Sequence, residues 1–223
     1  MWGECPEMIN INRIMNNDLT ILTSRSNEGK SMVLFNLIKD YKARFKGDIW
    51  VFGVKGELCK SLDVNIFNSL TELEEIKNSI IIVDEVGLLF DLEDRKNRKM
   101  VDLTLRMVNH NGNKIVLCGL PTDFKKYLCA KAKCFLFKTL VLSDLINGSR
   151  AKDVIMQYKG TERGTFLLNL KQDEVLCFDG KYWKENVNYY LELDLKLKNV
   201  DLFVQEKEEK VFVKKCKIEK VKQ

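Results

Sequence analysis

The run Ser24-Arg25-Ser26-Asn27-Glu28-Gly29-Lys30-Ser31 stands where a short apolar strand gives way to a helix, and no other segment restricts the fold as strongly. Ahead of it, Thr20-Ile21-Leu22-Thr23 is β-branched and apolar, the composition of a buried strand. Behind it, Leu34, Leu37, Ile38 and Tyr41 recur at helical spacing and predict a helix over Ser31 to Phe45. The first N–H groups of a helix lack intrahelical partners and carry partial positive charge, so such a junction binds phosphate. Gly29 lets the backbone come close to that ligand.

The run fits the pattern Gly-x-x-x-x-Gly-Lys-(Ser/Thr) except at its first position, Ser24, where the tight turn is expected to cost some strain. Read as a nucleotide loop, Ser24, Arg25, Ser26, Asn27, Glu28, Gly29, Lys30, Ser31 and Met32 form the expected binding set. Lys30 reaches the β- and γ-phosphates of ATP, and Ser31 ligates Mg²⁺. A second constraint is Ser79-Ile80-Ile81-Ile82-Val83-Asp84-Glu85, a continuous apolar run ending in two acids. It fits a parallel strand buried on both faces. In open α/β sheets the ligand lies beyond the carboxyl ends of the strands. Asp84 is therefore expected in the Mg²⁺ shell, and Glu85 is expected to orient and polarise an attacking water.

The remaining segments fill in an α/β plan. Asp48 to Phe52 is an extra strand ahead of the acids, and Ser69-Leu70-Thr71-Glu72 has capping-box spacing for a short helix. Met100, Val101, Thr104, Leu105 and Val108 share one face of the next helix, which Asn109 to Asn113 with Gly112 end. Lys114 to Cys118 and Cys134 to Phe137 read as strands, Pro121 and Asp123 introduce a short helix between them, and Ser143 caps a helix running towards Tyr158. A hairpin is expected from Thr165 to Leu170 and Val175 to Phe178, with Gly180 closing it. The expected fold is a mainly parallel five-stranded core sheet flanked by helices, plus a C-terminal β-hairpin. The expected division is an extension over 1–18, a nucleotide domain over 19–183, and a charged extension over 184–223.

Composition narrows the function classes. No run approaches the ~20 apolar residues of a membrane span, and the first residues lack a secretory apolar core. The 7 cysteines show no metal-ligand spacing, and a single His removes most zinc patterns. Cys118, Cys134 and Cys177 fall in strands and read as buried, reduced thiols, which points to a cytoplasmic setting. The net charge of +5 is compatible with an anionic partner. Arg95-Lys96, Arg98-Lys99, Lys125-Lys126 and Lys214-Lys215 could meet a phosphate backbone, and solvated faces explain them as well.

Taken in order, these parts resemble the FtsK–HerA superfamily of DNA-pumping ATPases, and within it the small genome-packaging ATPases of tailless, internal-membrane viruses of bacteria and archaea. The two nucleotide motifs carry the resemblance residue by residue. Leu105-Arg106-Met107-Val108-Asn109-His110, Gly112, Ile115 to Cys118 and Pro121-Thr122-Asp123 carry it by order. It implies a P-loop NTPase fold of the additional-strand, catalytic-glutamate type, with Lys30 and Glu85 as catalytic groups. Arg106 is the nearest candidate for an arginine finger, with Arg98 behind it. The strand after the acids ends in Cys118-Gly119-Leu120, where the superfamily usually has a polar sensor. The resemblance further implies a homo-oligomeric ring, pentamer or hexamer, with double-stranded DNA in its channel. Capsid or vertex proteins would be its partners, and the host cytoplasm or the virion its location. Two other readings stay open: an assembly ATPase of the filamentous-phage type, and a nucleotide-binding module without turnover.

Overall fold

Buried backbone N–H and C=O groups need partners, and the apolar segments find them in one sheet. The computed structural model describes residues 11–54, 59, 62–89, 95–124, 126–138, 170–171, 173–179 and 182–186. All lie in the first of two units, Met1–Asn188; the second, Tyr189–Gln223, is outside the described residues. In chain order the elements are α1 (Ile11–Met15), β1 (Leu19–Thr23), α2 (Lys30–Arg44), β2 (Ile49–Phe52), β3 (Asn65–Ile66), a 3₁₀ helix (Leu70–Glu74), β4 (Ile80–Val83), α3 (Val86–Leu89), α4 (Arg95–His110), β5 (Lys114–Gly119), α5 (Lys126–Cys129), β6 (Cys134–Phe137), β7 (Glu174–Phe178) and β8 (Tyr182–Asn186).

The strand order is β3-β2-β4-β5-β1-β6-β7-β8. Neighbours from β3 to β6 run parallel, and β7 and β8 add antiparallel at one edge. The parallel pairing puts Phe52, Val83, Leu117, Ile21 and Phe135 in one row on one face. That face packs against Val101, Leu105 and Val108 of α4, Leu73 and Ile76 by the 3₁₀ helix, and Phe124 and Leu128. The opposite face carries Leu22, Ile82, Val116 and Leu136, all fully buried. Val33, Leu34, Leu37 and Ile38 of α2 are buried outside the first cluster and cover this second face. A sheet covered on both sides explains why its strands read as unbroken apolar runs.

The expected helices and parallel strands are present among the described residues, within a residue or two of the predicted bounds. The extra strand expected at Asp48 to Phe52 is β2, beside β4 on the side away from β1, and the strand inserted between β4 and β1 is β5. The hairpin and one helix position differ. The hairpin is β7–β8, with Val175 to Phe178 as its first strand and not its second, and β7 pairs with β6, so it extends the sheet. Its second strand runs from Tyr182 to Asn186. Met100 is 50% exposed, because Val101, Leu105 and Val108 set the centre of the buried stripe and Met100 lies about 100° to its side.

The capping box at Ser69 forms differently from the usual one: Glu72 Oε1 accepts from the Asn68 N–H at 3.2 Å and from the Ser69 hydroxyl at 3.1 Å. Ile11 and Ile14 of α1 are buried. The expected helix from Ser143 to Tyr158 and the strand from Thr165 to Asn169 lie outside the described residues. Among the described residues no helix is long and apolar enough to cross a membrane.

The start of β4 is fixed by Asn113, which is 1% exposed. Its Oδ1 accepts from the Ser79 N–H at 2.9 Å, and its Nδ2 donates to the Ile76 carbonyl at 2.7 Å. The Lys114 N–H donates to the Ser79 carbonyl at 2.9 Å and sets β5 beside β4.

Candidate functional site

Four strand ends lie side by side at the carboxyl edge of the sheet: Asp84 after β4, Gly119 ending β5, Ser24 after β1 and Lys138 after β6. The ladder continues past β1 on both sides. The Ser24 N–H donates to the Gly119 carbonyl at 3.5 Å, and the Lys138 N–H donates to the Thr23 carbonyl at 3.1 Å. The loop from Ser24 to Gly29 therefore begins at a fixed point.

Within the loop, Asn27 and Gly29 take left-handed φ values of +63° and +86°. Ser24 does not, so the missing glycine costs no left-handed strain there. Its side chain is fully buried, and the hydroxyl donates to the Arg25 carbonyl at 2.8 Å. Gly29 is the residue ahead of α2, and its carbonyl accepts the N–H groups of Met32 and Val33 at 3.1 and 3.3 Å. The N–H groups opening the helix at Lys30 and Ser31 precede those bonds and point out of its end. Lys30 is only 8% exposed, and its ammonium donates to the Arg25 carbonyl at 3.4 Å.

Asp84 is separated from the loop by one strand, β5, which places β4 about 10 Å from β1. That strand ends in Cys118 and Gly119, both small. The two charges sense each other across this gap. Burial and then the neighbouring Glu85 charge push the Asp84 carboxyl up to about 6, and the Lys30 ammonium opposes them. Cys118 is a free, buried thiol beneath the same gap. Burial raises its pKa well above the ordinary thiol value, Asp84 and Glu85 add to the rise, and Lys30 acts against it.

Glu85 is exposed and has φ +59°, a conformation that costs a non-glycine residue about 1–3 kcal/mol. The Asp84 N–H donates to the Phe52 carbonyl at 2.9 Å, which holds the segment just ahead of it. Gly53, with φ +80°, makes room there: a Cβ on it would lie 2.2 Å from the Asp84 carbonyl oxygen.

Lys30, Ser31, Asp84 and Glu85 thus share one edge of the sheet, with the loop residues Arg25, Ser26, Asn27 and Glu28 beside them. Met32 is buried in the first turn of α2. Arg106 does not join them within one chain. It lies towards the end of α4, where it pairs with Asp102 at 3.2 Å. It lines a cavity of about 140 Å³ with Asp18, Leu19, Asn109, Lys131 and Lys133. Asp18 and Leu19 mark the amino end of β1, roughly 16 Å from the loop end of that five-residue strand.

Sequence reasoning passed over Lys138. It is fully buried, and its ammonium donates to the Glu174 carbonyl at 2.7 Å. Burial lowers its pKa, while Asp173, Glu28 and Glu174 favour the charged form. The signal was available: a charged residue directly after an apolar strand, the same pattern that singled out Asp84.

A loop-bearing strand, an acid-bearing strand, one strand inserted between them and a helix leaving the loop define the P-loop NTPase fold class. Among solved structures, the chain is similar to B204, the DNA-packaging ATPase from Sulfolobus turreted icosahedral virus, with TM-score 0.58 and 16% identity over 77% of this chain and 98% of that one. The genome-packaging NTPase B204 of Sulfolobus turreted icosahedral virus 2, in complex with AMPPCP, gives TM-score 0.57 and 18% identity over 78% and 99%. The cytoplasmic domain of the Thermomonospora curvata type VII secretion ATPase EccC gives 0.53 and 9% identity over 79% of this chain and 24% of that one. At these identities the likeness is one of fold. No protein-family model matches the chain, and no curated protein does.

Proposed function

We propose that the chain is an ATPase that moves double-stranded DNA, as in the packaging of a viral genome. The observation that carries this reading is the meeting of Lys30 with Asp84 and Glu85 across the small-residue end of β5. An ammonium, a helix N-terminus and two carboxylates around one opening suit a triphosphate better than any other common ligand. The donor set also suits Mg²⁺: Ser31 and Asp84 offer hard oxygens, and among the described residues no group of three His, Cys, Asp or Glu could hold a metal alone. Magnesium is commonly bound by one or two protein oxygens together with the phosphates, and Ser31 and Asp84 would hold it. Bound there, it would draw negative charge from the phosphate oxygens.

The chain's own residues do the rest. The loop N–H groups and Lys30 fix the β- and γ-phosphates. On nucleotide binding the ammonium leaves the Arg25 carbonyl for the phosphate oxygens, exchanging a neutral acceptor for a charged one. Glu85, exposed beyond the strand end, orients a water in line with the γ-phosphate and accepts its proton. Arg106, remote from the loop of its own chain, would act as a finger only on a neighbouring subunit, which is how a ring of five or six copies would use it. The packaging assignment is supported by the B204 fold and by the order of the sequence motifs.

The deciding measurement is phosphate release from ATP with and without double-stranded DNA, run beside a solution mass. Lys30→Ala is expected to lose nucleotide binding. Glu85→Gln is expected to keep nucleotide bound and to turn over at least about 100-fold more slowly. A wild-type rate in Glu85→Gln would overturn the catalytic reading, and a rate indifferent to DNA would overturn the coupling.

A further inference from the structure

The carboxylate of Asp123 lies between the end of β5 and the turn that carries Glu85. Asp123 closes a tight turn after β5. Its N–H donates to the Leu120 carbonyl at 3.0 Å, and its Oδ2 accepts the Leu120 N–H at 2.7 Å. The same carboxyl group rests against two glycines from different segments. A Cβ on Gly119 would stand 2.9 Å from Oδ2 and 2.8 Å from Val86 Cγ1. A Cβ on Gly87 would stand 3.4 Å from both Cγ and Oδ1. Neither glycine has a left-handed φ, so the backbone does not require glycine at either place. Gly119 leaves room for the carboxylate and for Val86 together, while at Gly87 the carboxylate stands at ordinary contact distance from where a Cβ would be.

That room adjoins Glu85. Val86 follows it directly and is fully buried against the end of β5, and Gly87 comes next. Upstream, the Asp84 N–H is held by Phe52. Glu85 is therefore a left-handed, exposed residue between two anchors, and the downstream anchor is the Asp123–Gly119–Val86 contact.

We propose that Asp123 is a positioning residue: its carboxylate ties the end of β5 to the Val86–Gly87 step and so holds Glu85 in the orientation that hydrolysis requires. The proposal rests on reading Glu85 as the residue that activates water. It separates geometry from affinity, because the phosphate loop meets the end of β5 only through the Gly119 backbone carbonyl, which accepts the Ser24 N–H and stays in place when the Asp123 side chain is removed.

Steady-state ATPase kinetics and nucleotide titrations on the full chain test it. Asp123→Ala is expected to lower kcat tenfold or more, with KM and the nucleotide Kd within twofold of the parent. Asp123→Asn keeps an oxygen for the Leu120 N–H and the same volume, and should restore kcat to within about threefold. Gly119→Ala keeps every polar group but crowds the carboxylate and Val86 at the same joint, and should follow Asp123→Ala. If Asp123→Ala does not fold, as read by its thermal melt, the contrast between Asp123→Asn and Gly119→Ala decides. A wild-type kcat in Asp123→Ala or in Gly119→Ala would overturn the proposal. So would an equal loss in Asn and Ala, or a change confined to KM. Glu85→Gln runs alongside: if it is active, the catalytic reading itself fails. If it is inactive while Asp123→Ala is normal, only the assignment of Asp123 fails.

Discussion

Replacing Asp84 with asparagine should make the nucleotide-free, metal-free protein more stable. The Asp84 carboxyl is carried from its ordinary 3.8 to about 6, first by burial and second by the charge of Glu85. At 1.36 kcal/mol per pKa unit the change is worth about 3 kcal/mol. The sign follows from which state holds the proton more tightly. A raised value in the folded state means that the stabilising contribution is complete below about 3.8 and is lost as pH rises through about 6. Above that, the fold carries an ionised carboxylate that the unfolded chain hydrates without penalty. Asparagine has the same shape and no charge, so it removes a cost of about 3 kcal/mol at pH 8 and roughly half of that at pH 5. Urea unfolding of both proteins in EDTA at the two pH values measures the difference. No advantage for Asp84→Asn at pH 8, or an advantage that does not shrink at pH 5, would refute the reasoning. The same variant should bind Mg²⁺-nucleotide more weakly, so stability and function would move in opposite directions at one residue.

Asn113→Ala strips two buried backbone groups of their partners, the Ser79 N–H and the Ile76 carbonyl. At about 1–3 kcal/mol for each unsatisfied group, the loss should be about 2–6 kcal/mol in urea unfolding. Gly53→Ala combines a left-handed φ with a Cβ 2.2 Å from the Asp84 carbonyl oxygen. It should destabilise by about 2 kcal/mol or more, and nucleotide affinity, measured by titration, should fall with it because Asp84 must move.

Much of the fold was legible because the central strands β1, β4 and β6 are buried on both faces and therefore spelled in apolar residues, as in Ile80 to Val83 and Cys134 to Phe137. The phosphate loop was legible for a local reason too: a glycine and a lysine at a strand–helix junction have few other uses. The two-residue β3 left no trace, since both residues are exposed and too few to show a period. The hairpin was placed early because β7 is buried through its pairing with β6, and that pairing is a long-range fact.

By itself the sequence determined which short segments are strands and helices and which chemical groups end them: Lys30 and Ser31 after one strand, Asp84 and Glu85 after another. Only the tertiary structure decided which of those ends share an edge. β5 follows the acids in the chain yet lies between them and the loop, so the gap they face is shaped by Cys118, Gly119 and Asp123. The same strand order sends Arg106 to the opposite end of the sheet. Local burial is written residue by residue, whereas adjacency depends on strand order, which is set by the packing of all the elements together.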